Sequence, residues 1–395
     1  MMKERYRTLL LLMLIVTTAA CTTDRAIEEI QNSIDEIGSH WVPDRREGVS
    51  NVSVSLFGGV YTLKGELCKP AHRDSLLAWF GGQGLSVADS TTMLPDTTAG
   101  SWALVSVAVA NMRAQPRHAA ELITQASMGT PLRIMKRDGS WLWVQTPDMY
   151  LGWITSSSVE IAGDEGIAAW RSAERVIVLQ NSAFIYAGEN EQAIVTDVPL
   201  GGIVTGDGIS AKHFRVVLPD GRRGFMRLVD GQLFSRWSAS AVPTVASLEM
   251  YGRRLMGVSY LWGGTSAYAL DCSGFMKTIF FVNGVILARD ASLQQRHGTA
   301  IESSATDWSQ LLPGDILFFG SQKTRRAGHV GLYLGDGEVI HESGMVRIDN
   351  LGSDRPNYSN YLFTTYIEAR RVIGLPSQPG LMHVKEHQWY VNISE

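Results

Sequence analysis

The residues best suited to chemistry in this chain are one cysteine and two histidines. Cys272 closes the run Tyr260-Leu-Trp-Gly-Gly-Thr-Ser-Ala-Tyr-Ala-Leu-Asp-Cys272 and is followed by Ser273, Gly274 and Phe275. His329 comes later, before Val330 and Gly331, and His341 lies between Ile340 and Glu342. A thiol that opens a helix, with imidazoles arriving afterwards on strands, is the layout of a nucleophile and its base. Beyond Cys272, the residues Phe275, Met276, Ile279, Phe280 and Val282 recur at helical spacing, and Gly284 is a stop signal. Cys272 is therefore expected in the first turn, where unpaired N–H groups and the positive dipole end favour a thiolate. Such settings bring a cysteine pKa from about 8.5 into a range of about 3.5–7.5. The same N–H groups can hold an oxyanion. Asp271 has two compatible readings, as helix N-cap and as a carboxylate facing substrate.

The histidines need a hairpin to meet. Pro313-Gly-Asp315 reads as a turn and Ile316 to Phe319 as a buried strand, followed by two strands joined at Gly335-Asp-Gly337. With a three-residue loop, Leu334 pairs with Glu338 and His341 faces Gly331. His329 then lies diagonally across on the same face, about 7–8 Å away by Cα. A two-residue loop would put the two imidazoles on opposite faces. In the first register His329 is the expected general base and His341 its orienting partner.

The chain has 395 residues, enough for several cores, with a net charge of -4. No Lys/Arg stripe alternates with aromatics, so nucleic acid is not an expected partner. The apolar run Leu9 to Ala20 follows Lys3, Arg5 and Arg7 and is too short to span a bilayer. It ends Thr18-Ala-Ala-Cys21, which resembles a bacterial lipoprotein processing site. The expectation is a signal peptide over 1–20, lipidation at Cys21, and a chain held to a membrane in the bacterial envelope; an ordinary signal peptide is the alternative. Of the other two cysteines, Cys68 is expected to be a free, buried thiol, because a disulfide would disable Cys272. His383 and His387 form a lone i,i+4 pair, and no Cys/His spacing calls for a metal or cofactor.

Several elements are legible around this centre. Residues 22–102 read as a mixed α/β domain: a helix from Ala26 to Ile37, alternating strand residues Val52, Val54 and Leu56, a helix from Asp74 to Phe80, and a linker from Thr91 to Ser101. Residues 103–162 and 163–242 each show strand, turn, strand, Asp-Gly and strand in the same order. They are expected to be tandem small barrels, with one larger β-sandwich as the alternative. Residues 243–373 are mixed α/β, and 374–395 form an unassigned tail.

Five segments carry a resemblance to the NlpC/p60 cysteine peptidases of bacterial cell-wall turnover: Tyr260 to Gly264, Leu270 to Phe275, Leu312 to Phe319, Gly328 to Gly335 and Val339 to His341. The resemblance implies a multidomain α+β protein. Two SH3-like barrels precede a papain-like domain with nucleophile Cys272, base His329 and third member His341. Tyr260 matches the tyrosine on the oxyanion side. The two-barrel arrangement is similar to that of γ-D-glutamyl-L-diamino acid endopeptidases, which require a free N-terminal L-Ala on murein stem peptides. That similarity implies substrate contacts from Asp271, Ser273 and Glu121, with Tyr150 and Ser292 as looser matches. The register at the last leaves Ala291 as an alternative. A monomer is expected. Rival readings are a peptidoglycan-binding envelope lipoprotein, and an amidase or acyltransferase of the same fold.

Overall fold

The structure, a computed structural model, describes residues 24–392, so Cys21 and the apolar run before it lie outside the described residues. The chain forms two compact units, Met1–Asp96 and Thr97–Glu395.

In the first unit a helix over 24–41 buries Ile30 and Ile34 against Val52, Val54, Leu63, Leu67, Leu76 and Phe80. The strands Ser50–Phe57 and Val60–Leu67 are antiparallel, joined by Gly58 and Gly59, both at positive φ. A two-residue turn of this kind demands that conformation. The helix Pro70–Gly82 is the crossover that lets Val87–Met93 lie parallel to Val60–Leu67. The linker expected from Thr91 therefore begins later. Thr91 to Met93 are β-formers that complete this ladder, with Thr91 opposite Gly65. Cys68 is half-buried rather than buried, and its sulfur accepts from Val49 N–H at 3.2 Å; both Cys68 and Cys272 are free.

The second unit opens with two seven-stranded sheets. From one edge, the first runs Val159–Ile161, Trp102–Val105, Pro131–Asp138, Trp141–Gln145, Leu151–Thr155, Val109–Arg113, Leu122–Ser127. The second runs Gly231–Leu233, Arg175–Val178, Ile203–Ile209, His213–Val217, Arg223–Arg227, Ser182–Tyr186, Ile194–Pro199. Numbered along the chain, the two orders are identical. The ladder irregularity at Met112/Arg113 in the first recurs at Ile185/Tyr186 in the second. These are two copies of one plan, not one sandwich. Each order runs from edge to edge, and no ladder among the described residues closes either sheet into the expected barrel. The far edge of the first sheet is used otherwise: Thr265 Oγ1 donates to the Gln125 carbonyl at 2.9 Å.

The rest of the unit is α+β. A six-stranded antiparallel sheet runs Thr299–Ile301, Tyr366–Arg371, Ile316–Gly320, Ala327–Gly335, Glu338–Ser343, Met345–Asn350. The helix Cys272–Phe281 lies on one face, with Phe275, Met276, Ile279 and Phe280 packed on Phe318, Val330, Leu332 and Ile340. The other face carries Leu317, Phe319, Tyr333 and Val339. Alternation along each strand divides the two cores.

The tail does structural work that its composition did not disclose. Leu381–His383 pairs with Val285–Leu287, and Val384 and Tyr390 enter a buried junction with Trp170, Phe234 and Trp237. Trp170 and Phe234 stand on the helices Gly163–Ser172 and Phe234–Ser240, which bracket the second sheet in the chain. His383 and His387 bond the carbonyls of Leu375 and Pro147. The pair thus pins the tail.

Candidate active site

Asp271 is the N-cap of the Cys272–Phe281 helix; its carboxylate accepts from Gly274 N–H at 2.7 Å. The glycines on either side allow the backbone to close around it. Gly263 N–H donates to the second carboxylate oxygen at 3.0 Å, and Asp271 N–H donates to the Gly264 carbonyl at 3.0 Å. A Cβ on Gly274 would fall 1.9 Å from that carbonyl, so only glycine fits.

Arg289, fully buried, grips the same carboxylate with two bonds of 3.0 and 2.5 Å. It also donates to Ser273 Oγ at 2.9 Å and reaches Thr124 Oγ1 of the first sheet at 2.9 Å. Burial works against ionisation of Asp271. The charge and bonds of Arg289, with the Gly274 N–H, outweigh it and hold the carboxyl below its ordinary range. Asp271 has the N-cap role expected of it. Asp271 and Ser273 are both buried, and Ser273 Oγ donates back to Asp271 at 3.1 Å. Arg289 is a buried cation that must be neutralised and takes its partners from this turn.

Cys272 is 7% exposed, and the backbone N–H groups of Val330 and Ser273 favour its ionised form. Val330 follows His329 in the chain, so the thiol lies against the strand that carries the imidazole. Burial, and then the Asp271 charge, push the thiol up to about 12. In the resting site burial thus works against the expected thiolate. The helix does offer N–H groups to the sulfur, but its first turn is inside the core, where desolvation outweighs them.

The hairpin combines both anticipated loop lengths. Asp336 and Gly337 have φ of 50° and 79° and form a two-residue turn closed by Gly335 opposite Glu338. Leu334 is then extra on its strand, and this bulge restores Tyr333 to Val339 and Gly331 to His341. His329 and His341 therefore share a face. His329 Nε2 lies 2.8 Å from His341 Nδ1, and His341 Nε2 lies 3.2 Å from Asp349 Oδ2. Asp349 is opposed by burial. The bonds from His341 and Arg347 prevail and keep it below the ordinary carboxylate range. An ionised Asp349 accepts the proton on His341 Nε2. His341 Nδ1 then accepts from His329 Nε2–H, and Nδ1 of His329 is left as the basic nitrogen. Burial, followed by His341, presses His329 down to about 3, so the imidazole is neutral.

Aromatic residues form the exposed rim. Tyr361 stands edge-on to His329, centroids 5.7 Å apart. Burial, and then Cys272, raise the Tyr260 phenol to about 12, so it stays a proton donor. Trp262 is 61% exposed and donates through Nε1 to Oε1 of Glu121, the residue just before the strand Leu122–Ser127, at 2.8 Å. Tyr150, buried with Ile123, Ala288 and Leu293, donates to Asp290 Oδ2 at 3.0 Å. Trp262 and Asp290 are chain neighbours of Gly263 and Arg289, two of the residues that hold Asp271. Glu121 and Tyr150 are thereby brought to the Cys272 end of the helix. Ser292 is half-buried on the short helix Ala291–Gln294, while Ala291 is buried. Sequence reasoning did not single out Asp349, Arg289 or Asp290. Asp349 had a faint signal, lying in alternating sequence one hairpin beyond His341.

A cysteine at a helix start, backed by a histidine relay on an antiparallel sheet, defines a thiol-based α+β site. Comparison with known proteins agrees. Residues 257–371 match the NlpC/P60 family, and residues 112–159 match the bacterial dipeptidyl-peptidase SH3 domain. The chain carries both an NlpC/P60 domain and a bacterial SH3 domain. It is 29% identical over 272 residues to a gamma-D-glutamyl-L-lysine dipeptidyl-peptidase of Bacillus cereus, covering 65% of this chain and 77% of the relative. It is 28% identical over 280 residues to dipeptidyl-peptidase 6 of Lysinibacillus sphaericus, covering 67% and 96%. In fold it resembles the crystal structure of an NlpC/P60 family protein from Bacillus cereus, with TM-score 0.59 and 24% identity over 69% of this chain and 100% of that one. An NlpC/P60 endopeptidase from Photobacterium damselae subsp. piscicida gives TM-score 0.53 and 15% identity over 71% and 75%.

Proposed function

We propose that this protein is a cysteine peptidase that cuts the γ-D-Glu–diamino acid amide of murein stem peptides bearing a free N-terminal L-Ala. The observation that carries the reading is the relay Asp349–His341–His329, carried on the strand whose Val330 N–H acts on Cys272. The relatives named as γ-D-glutamyl-L-lysine dipeptidyl-peptidases support the choice of bond.

The resting pair is a neutral thiol and a neutral imidazole. A lone thiolate is costly in this setting, but proton transfer to His329 Nδ1 creates a thiolate–imidazolium pair whose charges offset each other. Cys272 Sγ then attacks the γ-carbonyl carbon. The C=O electrons move to oxygen, which the backbone N–H of the helix start and the Tyr260 O–H stabilise. As the C–N bond breaks, His329 gives its proton to the departing amine. Water, deprotonated by His329, then hydrolyses the thioester and returns the thiol. Asp349 and His341 fix the base nitrogen throughout.

Glu121 and Asp290 are the carboxylates for the substrate ammonium, bonded by Trp262 and Tyr150 respectively. Ser292 lies beside Asp290 on the same short segment. Lipidation at Cys21 and a place in the cell envelope belong to the same reading. The test compares the free tripeptide L-Ala-γ-D-Glu-diamino acid with its N-acetyl form. Release of L-Ala-γ-D-Glu from the free form, with at least about 100-fold lower kcat/KM on the blocked one, is expected from loss of charge-assisted bonds. Equal rates would favour an amidase or acyltransferase without amine recognition.

A further inference from the structure

Glu342 is a buried ionisable group beside the site that the reaction scheme leaves unused. It is 0% exposed, and neither carboxylate oxygen has a hydrogen-bond partner. Such a group is rare in a folded protein, because the desolvation cost has no compensation. Glu342 follows His341 on the strand Glu338–Ser343, so alternation turns it to the opposite face, toward the helix that Cys272 opens. Val346, its partner on the neighbouring strand, is apolar. The titratable groups that it senses or that sense it are Asp271, at the helix N-cap, and Tyr260, in the lead-in segment. Of the nearby cations, Arg289 is bonded to Asp271, and Arg347 is paired with Asp349 on the His341 face. No ion pair reaches Glu342 among the described residues.

A carboxyl in this position avoids charge by keeping its proton. Burial, and then Asp271, raise Glu342 to about 8. Tyr260 N–H donates to the Gly344 carbonyl at 3.0 Å, two residues beyond Glu342, so the Tyr260 segment lies along the strand end that carries this acid, and its phenol is influenced by both Cys272 and Glu342.

We propose that Glu342 is a positioning residue for Tyr260: uncharged, it leaves the phenol aimed at the developing oxyanion, and ionised, it draws the phenol proton and opposes that negative charge. The proposal rests on the hydrolase reading above. It assigns the alkaline decline of turnover to a side chain that never touches substrate.

The test is kcat at saturating tripeptide from pH 6 to pH 9.5, for the wild type, Glu342→Gln and Glu342→Met. Titration of the substrate amine appears in KM and is thus separated from the effect sought. The wild type should lose about tenfold in kcat between pH 7 and pH 9, as expected for one ionisation near pH 8, while both variants change less than about twofold. Parallel decline in all three would overturn the proposal and leave the hydrolase reading intact. No turnover by the wild type at any pH would overturn the hydrolase reading, and this proposal with it. Should both variants fail to fold, carbon-13 NMR of wild-type protein labelled at glutamate carboxyls decides. One carboxyl titrating between pH 7 and pH 9 supports the assignment, and none above pH 6 contradicts it.

Discussion

His329 and His341 meet through Nε2 and Nδ1 at 2.8 Å, because a bulge at Leu334 corrects the register set by the Asp336-Gly337 turn. The proton order along the relay then depends on Asp349, which holds His341 in one tautomer.

Asp349→Asn removes the charge and can present an N–H to His341, inverting the tautomer. A drop in kcat on the order of 10²–10⁴-fold is expected, as for the third member of other nucleophile–base sets. Near-normal urea unfolding would separate this loss from misfolding.

Arg289→Met leaves Asp271 buried without its cation and frees Thr124 from its bond to the helix start. Breaking a buried pair on one side costs about 3–5 kcal/mol. The urea midpoint should fall accordingly, whereas Arg137→Met, at an exposed strand end, should leave it in place.

Glu121→Gln keeps the bond from Trp262 but removes a negative charge at the rim. The loss should appear in kcat/KM on the free tripeptide, about 10- to 100-fold, from a charge-assisted bond worth about 1.5–3 kcal/mol. It should vanish on the N-acetyl substrate, where no ammonium is read.

The acid side of stability is set partly by His329. Its folded value, about 3, is below the ordinary imidazole value of 6.5, so the unfolded chain binds the proton first. Stability from this group is fully present above pH 6.5 and is lost as pH falls toward 3. Thermal melts of the wild type should drop relative to His329→Gln across that window. A constant gap between the two would contradict neutral burial.

Much of the site was legible because local rules govern it. An Asp before an apolar helical period makes an N-cap, and Asp336-Gly337 makes a hairpin turn. The repeated strand order of the two sheets was visible as repeated strand and turn spacing. What the sequence concealed was non-local. Asp349 reaches His341 only through the register of a third strand. Arg289 becomes the clamp on Asp271 because a loop folds back over the helix start. The same enclosure pushes the Cys272 thiol up, a direction its helical position alone does not foretell. The bonds between Gln125 on the edge strand Leu122–Ser127 and Thr265 are likewise non-local.

The most direct measurement is the mass of products released from L-Ala-γ-D-Glu-diamino acid by the wild type and by Cys272→Ala. The dipeptide L-Ala-γ-D-Glu and the free diamino acid should accumulate with the wild type. The variant, folded by circular dichroism, should release neither. Cleavage by the alanine variant at an undiminished rate, or a wild-type cut at the L-Ala–D-Glu bond, would contradict the central claim.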